Sequence, residues 1–190
     1  MKIGIFLGSF DPFHLGHKEA IVKALKLGMD RILVVPTPGN PWKDNKPRDI
    51  GIRNTIIGLE TQDFPEVESI ILLTPPRKDG KYYSVDQLKR ILDMSGTGDY
   101  QFYIVGGPEI TQEIKNWMSG DWILEHFQVL EISRPGYSST NSWGTEISST
   151  KIRELIKLEK WDELEKYYTN PETIEFLKNE YKDKMVTERK

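Results

Sequence analysis

Hydrophobic positions along the first half of the chain switch repeatedly between two periods. Lys2–Leu7 reads KIGIFL, a nearly continuous apolar run bounded by Gly8, and Arg31–Pro36 reads RILVVP. Short runs of this kind, closed by Gly or Pro, predict strands buried on both faces. Between them Ala20, Ile21, Ala24, Leu25 and Leu27 recur at helical spacing, with Lys18, Glu19, Lys23 and Lys26 on the other face. That pattern predicts a helix over Leu15–Gly28, with Gly28 as its C-cap. A second helical pattern covers about Asp49–Glu60, and Val67–Leu73 predicts a third strand. Ser84–Leu92 reads as a helix opened by Ser84 as N-cap, with Gln87 completing a capping box. Gln101–Gly106 predicts a fourth strand and Phe127–Ile132 a fifth.

Strand alternating with helix predicts an α/β fold: a Rossmann-like, doubly wound parallel sheet of about five or six strands, joined by right-handed crossovers. Ligands in such sheets lie beyond the carboxyl ends of the strands. The segments Gly8–Gly16, Thr37–Pro47, Thr74–Tyr83 and Gly106–Trp117 are therefore expected to face the site. After Ser133 the pattern changes. A long polar loop, RPGYSSTNSWGTE, leads into the helical stretches ISSTKIRELIKLEKWDELEKYY and PETIEFLKNEY, where Pro171 suits a first helical turn. These C-terminal helices are expected to pack on the same domain, so that residues 1–181 form one unit and 182–190 a charged, frayed tail.

Composition narrows the function. The chain has 190 residues and a formal net charge of −3, which argues against a broad surface for polyanions and so against nucleic acid as a partner. It has no cysteine, which excludes disulfides, thiolate metal sites and a cysteine nucleophile. The first apolar run is too short for a signal peptide and no stretch is long enough to cross a membrane. A soluble, cytoplasmic domain with no membrane partner is the expectation.

Two of the three histidines, His14 and His17, stand in GSFDPFHLGH directly after the first strand. A strand–glycine–helix turn aims backbone N–H groups and the positive end of a helix dipole at one point, where anions bind. Imidazoles three residues apart lie on one side of a helix, and Gly16 leaves room for a phosphate. The same residues would also serve as ordinary turn chemistry with two helix-capping histidines. Zinc fits less well, because the remaining histidine is His126 and no acidic residue has ligand spacing. No metal-ligating residues are assigned. A dinucleotide site fits less well too, since G-x-G-x-x-G is absent. Far along the chain, EISSTKIRELI places Ser148, Ser149 and Thr150 before a helix with Arg153 in its first turn. By itself this is an N-cap cluster; read functionally it is a second anion-binding terminus, with Arg153 able to hold phosphate through two N–H bonds.

G-S-F-x-P-x-H-x-G-H followed by I-S-S-T-x-I-R resembles the nucleotidyltransferase superfamily, and within it the nicotinate/nicotinamide-nucleotide adenylyltransferase family. The resemblance extends from Lys2 to about Tyr181 and includes PTPGNPWK, YYSVDQL, YIVGG, Trp117 and SRPG. It implies that ATP and a pyridine mononucleotide, nicotinate or nicotinamide, bind side by side. The mononucleotide 5′-phosphate then attacks the ATP α-phosphate in line, giving the dinucleotide of NAD biosynthesis and pyrophosphate. It further implies backbone contacts to ATP from Gly8, Ser9, Phe10, Gly106 and Gly107, with His14 and His17 holding the α- and β-phosphates and stabilising the transition state. Ser149, Thr150 and Arg153 would grip the β- and γ-phosphates. Mg²⁺ would bridge phosphate oxygens, held mainly by ATP and water. On the mononucleotide side the resemblance implies Lys43, Arg53, Ser84, Val85, Trp117 and Arg134, with Trp117 stacked on the pyridine ring. Self-association into a homo-oligomer is compatible with it.

One departure stands out. Where the family has Gly-Ala-Asp, the Asp reaching the ATP ribose, this chain has GGPE, with Pro108 at the Asp position and Glu109 next. Either Glu109 substitutes with its longer arm, or the ribose contact is lost, or the substrate has changed. Pantetheine-phosphate adenylyltransferase shares the phosphate motifs and is one alternative; a non-catalytic nucleotide sensor is another. The choice between nicotinate and nicotinamide is not legible in the sequence, although the overall layout resembles the nicotinate-preferring members.

Overall fold

The structure is a computed structural model and describes residues 1–39, 47–132 and 147–187, with 182–187 as backbone alone. Strands β1 (Lys2–Gly8), β2 (Arg31–Pro36), β3 (Val67–Ser69), β4 (Gln101–Gly106) and β5 (Gln128–Glu131) form one sheet. Every pairing is parallel and the order is β3-β2-β1-β4-β5. The connections run outward from β1 to β3 on one side, then return to build β4 and β5 on the other. The order therefore reverses between β1 and β4, where a crevice opens beyond the strand ends.

Helices cover both faces: α1 (Leu15–Lys26), α2 (Ile50–Thr61), α3 (Ser84–Ser95), α4 (Pro108–Glu113), α5 (Gly120–His126), α6 (Ser149–Lys157), α7 (Trp161–Leu164) and α8 (Pro171–Thr187). The alternation within β1 explains its unbroken apolar run. Ile3, Ile5 and Leu7 pack with Leu88 of α3 and Ile123 of α5. Phe6 points the other way, into a core shared with Ile21, Ile56, Ile152 and Leu177. Gly4 is on that second face because nothing larger fits; a Cβ there would lie 2.7 Å from Ile32 Cδ1 and 2.9 Å from Val105 Cγ2.

The expected doubly wound sheet is present, with five strands. Some of its parts differ from the sequence reading. The third strand ends at Ser69 rather than Leu73, because β3 is an edge strand and the chain peels away, leaving Leu73 73% exposed. Helix α3 is capped by Tyr83, in extended conformation, so Ser84 is already helical and the Ser84–Gln87 capping box does not form. The helical stretch after Ser148 breaks at Glu159, whose φ of 54° ends α6 and turns the chain into α7. Helices α4 and α5 were not foreseen.

Helix α8 packs on α2 and α6. Its entry is fixed by Glu60 of α2, 1% exposed, whose carboxylate accepts from the Thr169 N–H (3.0 Å) and hydroxyl (3.0 Å), the Asn170 N–H (3.2 Å) and the Thr173 hydroxyl (2.6 Å). A buried carboxylate is tolerated here because donors converge on it, beside the positive end of a helix. The helix continues past Tyr181 to Thr187. Among the described residues no helix is long and apolar enough to cross a membrane.

Candidate active site

The loop after β1 is built around three aromatic rings. Phe10 takes a left-handed backbone conformation (φ 47°) that buries its ring, 3% exposed, beneath the loop. That ring lies against Gly8: a Cβ on Gly8 would fall 2.8 Å from Phe10 Cζ, so the glycine makes room for the phenylalanine. The Phe10 ring also meets His17 edge-on, with centroids 5.0 Å apart, and Phe13 packs on the same imidazole at 5.2 Å. Phe10, read from the sequence as a backbone contact, thus also supplies an apolar wall for a histidine.

His14 is the N-cap residue of α1 and His17 lies in its first turn. The two imidazoles stack, with centroids 3.8 Å apart and planes at 25°. The His14 N–H donates to His17 Nδ1 at 3.2 Å. An Nδ1 that accepts leaves the proton of the neutral ring on Nε2, so His17 is set as a donor through Nε2. Gly16 leaves this stack its room, since a Cβ there would press on it at 3.2 Å from His14 Cε1 and 3.3 Å from Ile147 Cγ2.

Ile147 belongs to the second motif, and the two motifs are bonded to each other. Ser148 caps α6 by accepting from the Lys151 N–H at 3.2 Å. The Ser149 hydroxyl donates to the Pro12 carbonyl at 2.9 Å. Arg153 donates through Nη1 to the Asp11 carbonyl at 2.6 Å and through Nη2 to the Thr150 hydroxyl at 3.1 Å. Residues 11–12 and 149–153 are thereby fixed as one unit, although in sequence Ser149 lies 137 positions after Pro12 and Arg153 lies 142 after Asp11.

Arg53 is placed differently from its sequence reading as a phosphate contact. It is 1% exposed, and its guanidinium donates to the carbonyls of Arg48 (2.7 Å), Thr37 (2.9 Å) and Ser9. Burial lowers its pKa, opposed by the nearby charge of Asp11. The Thr37 N–H in turn donates to the Gly8 carbonyl at 2.8 Å. Arg53 therefore ties the ends of β1 and β2 together from beneath. The guanidinium is turned to backbone because three carbonyls converge there, two just past the ends of β1 and β2 and one just before α2, and need donors. Lys43 and Arg134 lie outside the described residues.

Beyond the strand ends is a cleft of about 370 Å³, bounded by Gly8, Ser9, Thr37, Ser84, Val85 and Trp117 among others. Residues from the four segments that follow β1, β2, β3 and β4 thus meet across one space. Trp117 leans on the α3–α5 core with part of its ring uncovered. Gly106 and Gly107 lie close under the start of α4. A Cβ on Gly106 would fall 2.1 Å from Ile110 Cδ1, and one on Gly107 the same distance from Glu109 Oε2. Pro108 takes the first helical position, where no N–H is needed. Glu109, next in the helix, folds back over Gly107 and lines the cleft with Tyr83 and Glu113. Among the described residues no group of three or more His, Asp or Glu is arranged to hold a metal ion.

The sequence reading missed Asp11. Its carboxylate accepts from the Tyr181 hydroxyl at 3.0 Å and from the Arg48 N–H at 3.3 Å, and the Arg48 guanidinium lies 3.7 Å over the Tyr181 ring. Burial, and then the charge of Asp11, push the Tyr181 hydroxyl far above an ordinary tyrosine pKa. An Asp before a Pro reads as turn chemistry, and nothing in a linear pattern pairs it with a tyrosine so far away.

Comparison with known proteins agrees with this geometry. Residues 5–155 match the family model described as cytidylyltransferase-like. The chain is 30% identical over 169 residues to the nicotinate-nucleotide adenylyltransferase of Bacillus subtilis, covering 84% of this chain and 87% of that protein. Among solved structures, it resembles a Vibrio parahaemolyticus protein provisionally named nicotinate-nucleotide adenylyltransferase, with a TM-score of 0.69 and 23% identity over 94% of this chain and 99% of the other. It also resembles the Plasmodium falciparum nicotinic acid mononucleotide adenylyltransferase complexed with NaAD, with a TM-score of 0.63 and 22% identity over 93% and 94% of the two chains. At these identities the two structures speak to the fold.

Proposed function

The chain belongs to the cytidylyltransferase-like family, and we propose that it is a nicotinate-nucleotide adenylyltransferase, joining ATP to a pyridine mononucleotide in NAD biosynthesis. An oxygen of the mononucleotide 5′-phosphate forms a bond to the ATP α-phosphorus as the bond from that phosphorus to the bridging oxygen breaks, and pyrophosphate leaves. No enzyme nucleophile is needed. Catalysis is positioning plus stabilisation of charge.

ATP lies along the loop after β1. Gly8, Ser9 and Phe10 offer backbone to it, Gly106 and Gly107 border its nucleoside, and Glu109 takes the ribose hydroxyls. His14 and His17 hold the α- and β-phosphates, with His17 donating from Nε2. Ser149, Thr150 and Arg153 receive the β- and γ-phosphates. The mononucleotide takes the side of the cleft lined by Ser84, Val85 and Trp117, its ring against the indole. Lys43 and Arg134 add contacts to phosphate, while Arg53 acts by holding the Ser9 and Thr37 carbonyls. Mg²⁺ would enter with ATP, carried mainly by its phosphates and water. The setting is the cytoplasm, and self-association is open to the chain.

The observation that carries this reading is the direct bonding of the two anion-binding motifs, Ser149 to Pro12 and Arg153 to Asp11, beside a cleft that also holds Ser84, Val85 and Trp117. The test is pyrophosphate release from ATP and Mg²⁺ with nicotinate mononucleotide, nicotinamide mononucleotide or phosphopantetheine in separate reactions. Turnover with a pyridine mononucleotide, faster with nicotinate, is expected. Release with phosphopantetheine alone, or with none of the three, would overturn the assignment.

A further inference from the structure

The segment between β3 and α3 is folded into a small closed turn. The Arg77 N–H donates to the Lys81 carbonyl at 2.9 Å and the Gly80 N–H donates to the Arg77 carbonyl at 2.8 Å. Gly80 holds the left-handed position (φ 75°) that such a turn requires. Two side chains of this turn then reach across to residues on either side of the start of α3. Asp79 accepts from the Lys81 N–H at 3.0 Å and from the Tyr83 hydroxyl at 2.5 Å. Arg77 forms a two-pronged pair with Asp86, Nε to Oδ2 at 2.9 Å and Nη2 to Oδ1 at 2.7 Å, while its guanidinium lies 5.3 Å over the Tyr83 ring.

Tyr83 and Ser84, the residues gripped between these two contacts, form one wall of the cleft. The turn itself packs on no core residue: Lys78, Asp79, Gly80 and Lys81 are all exposed. The fold does not need this pair for its core, then, yet the pair sets where a substrate-facing wall stands. A planar guanidinium bonded at two points fixes direction as well as distance, which a single ammonium contact does not. It also spans the first turn of α3, the turn whose cap residue Tyr83 has no side-chain cap of its own.

We infer that Arg77 is a positioning residue: its fork on Asp86, with its ring contact to Tyr83, clamps the turn to the first helical turn of α3 and thereby fixes the mononucleotide side of the cleft. This rests on the adenylyltransferase reading for the identity of the ligand, but not for the existence of the clamp. The ATP side of the site is built from other elements, the loop after β1 and α6.

Steady-state kinetics of Arg77→Ala separates the roles. The KM for the pyridine mononucleotide should rise about tenfold, with kcat and the KM for ATP within about twofold of the parent. Arg77→Lys should recover only part of the loss, and the exchanged pair Arg77→Asp with Asp86→Arg most of it. An unchanged mononucleotide KM, an equal rise in the ATP KM, or no recovery in the exchanged pair would overturn the inference. Trypsin cleavage after Lys78 and Lys81 reads the clamp without turnover, and should be faster in Arg77→Ala than in the parent; equal rates would overturn it. If the parent releases no pyrophosphate with either mononucleotide, the functional assignment fails and the cleavage rates alone decide the clamp.

Discussion

The hydroxyl of Tyr181, on the last helix, donates to the carboxylate of Asp11 at 3.0 Å, in the loop that follows the first strand. Both residues are buried, and the bond joins the end of the described side chains to the center of the candidate site. It makes α8 part of the support of the loop after β1 rather than an outer layer. A buried hydrogen bond to a charged acceptor contributes about 1.5–3 kcal/mol. Tyr181→Phe keeps the ring under Arg48 and removes only that bond, so it should lower unfolding stability by that amount in urea titration. A variant as stable as the parent would show that Asp11 is held by Arg48 alone.

The same tyrosine, with Tyr168, sets the alkaline limit. Burial is the main reason that both hydroxyls titrate well above the ordinary tyrosine value, with Asp11 adding to the shift at Tyr181 and then Tyr181 and Glu60 at Tyr168. Because the folded pKa is raised, their contribution is intact below the unfolded tyrosine pKa of about 10 and is lost as pH rises above it. Tm should therefore be insensitive to these groups up to about pH 10 and fall beyond it. A Tm that holds steady to about pH 12 would contradict their burial.

At His17, asparagine offers a test that spares the fold. Its amide oxygen can stand where Nδ1 accepts from the His14 N–H, but nothing replaces Nε2. His17→Asn should leave Tm near that of the parent and lower kcat by about two orders of magnitude, the scale of one placed donor to a developing charge. Turnover close to normal would remove His17 from the reaction.

For Trp117, whose ring is partly uncovered at the cleft, the expected loss is on one substrate. Trp117→Ala should weaken mononucleotide binding by about tenfold or more in calorimetric titration, while ATP affinity changes little. A fall in ATP affinity instead would place the indole on the other side of the cleft.

Glu60 has the largest structural consequence away from the cleft. Its carboxylate alone satisfies two N–H groups and two hydroxyls at the entry to α8. Glu60→Ala strands those donors in a buried place and should cost about 3 kcal/mol or more. A loss below about 1 kcal/mol would mean that other acceptors take over.

How far the chain could be read in advance follows from where its information is local. Strands β1, β2 and β4 were legible because each is buried on both faces and so writes an apolar run. The third strand was overextended because Ile70–Leu73 is apolar, but after the Ile70 N–H has bonded to the Val34 carbonyl the chain leaves the sheet edge. Helices α4 and α5 are short and lie in a stretch broken by Gly, Pro and Trp, without a helical period. At the site, Gly8, His14 and Gly16 were legible as a turn motif, but their reasons were not. Gly8 yields to the Phe10 ring, and Gly16 to a histidine and to Ile147. Arg53 shows the limit most clearly. A lone arginine on a helix looks like surface charge or an anion contact, and only the converging carbonyls of Ser9, Thr37 and Arg48 reveal it as a tie. Asp11 was hidden for the same reason, since its partners come from the beginning of α2 and from α8.

That placement also orders events in time. A ribosome delivers Asp11 early, Arg153 far later and Tyr181 later still. Until α6 has emerged, the nascent chain has its first strands and its histidine turn but neither of the groups that hold the turn from the far end. A chain stalled between α6 and α8 would have Arg153 on the turn and Asp11 still without its tyrosine, so the loop is completed in two steps set by the order of synthesis.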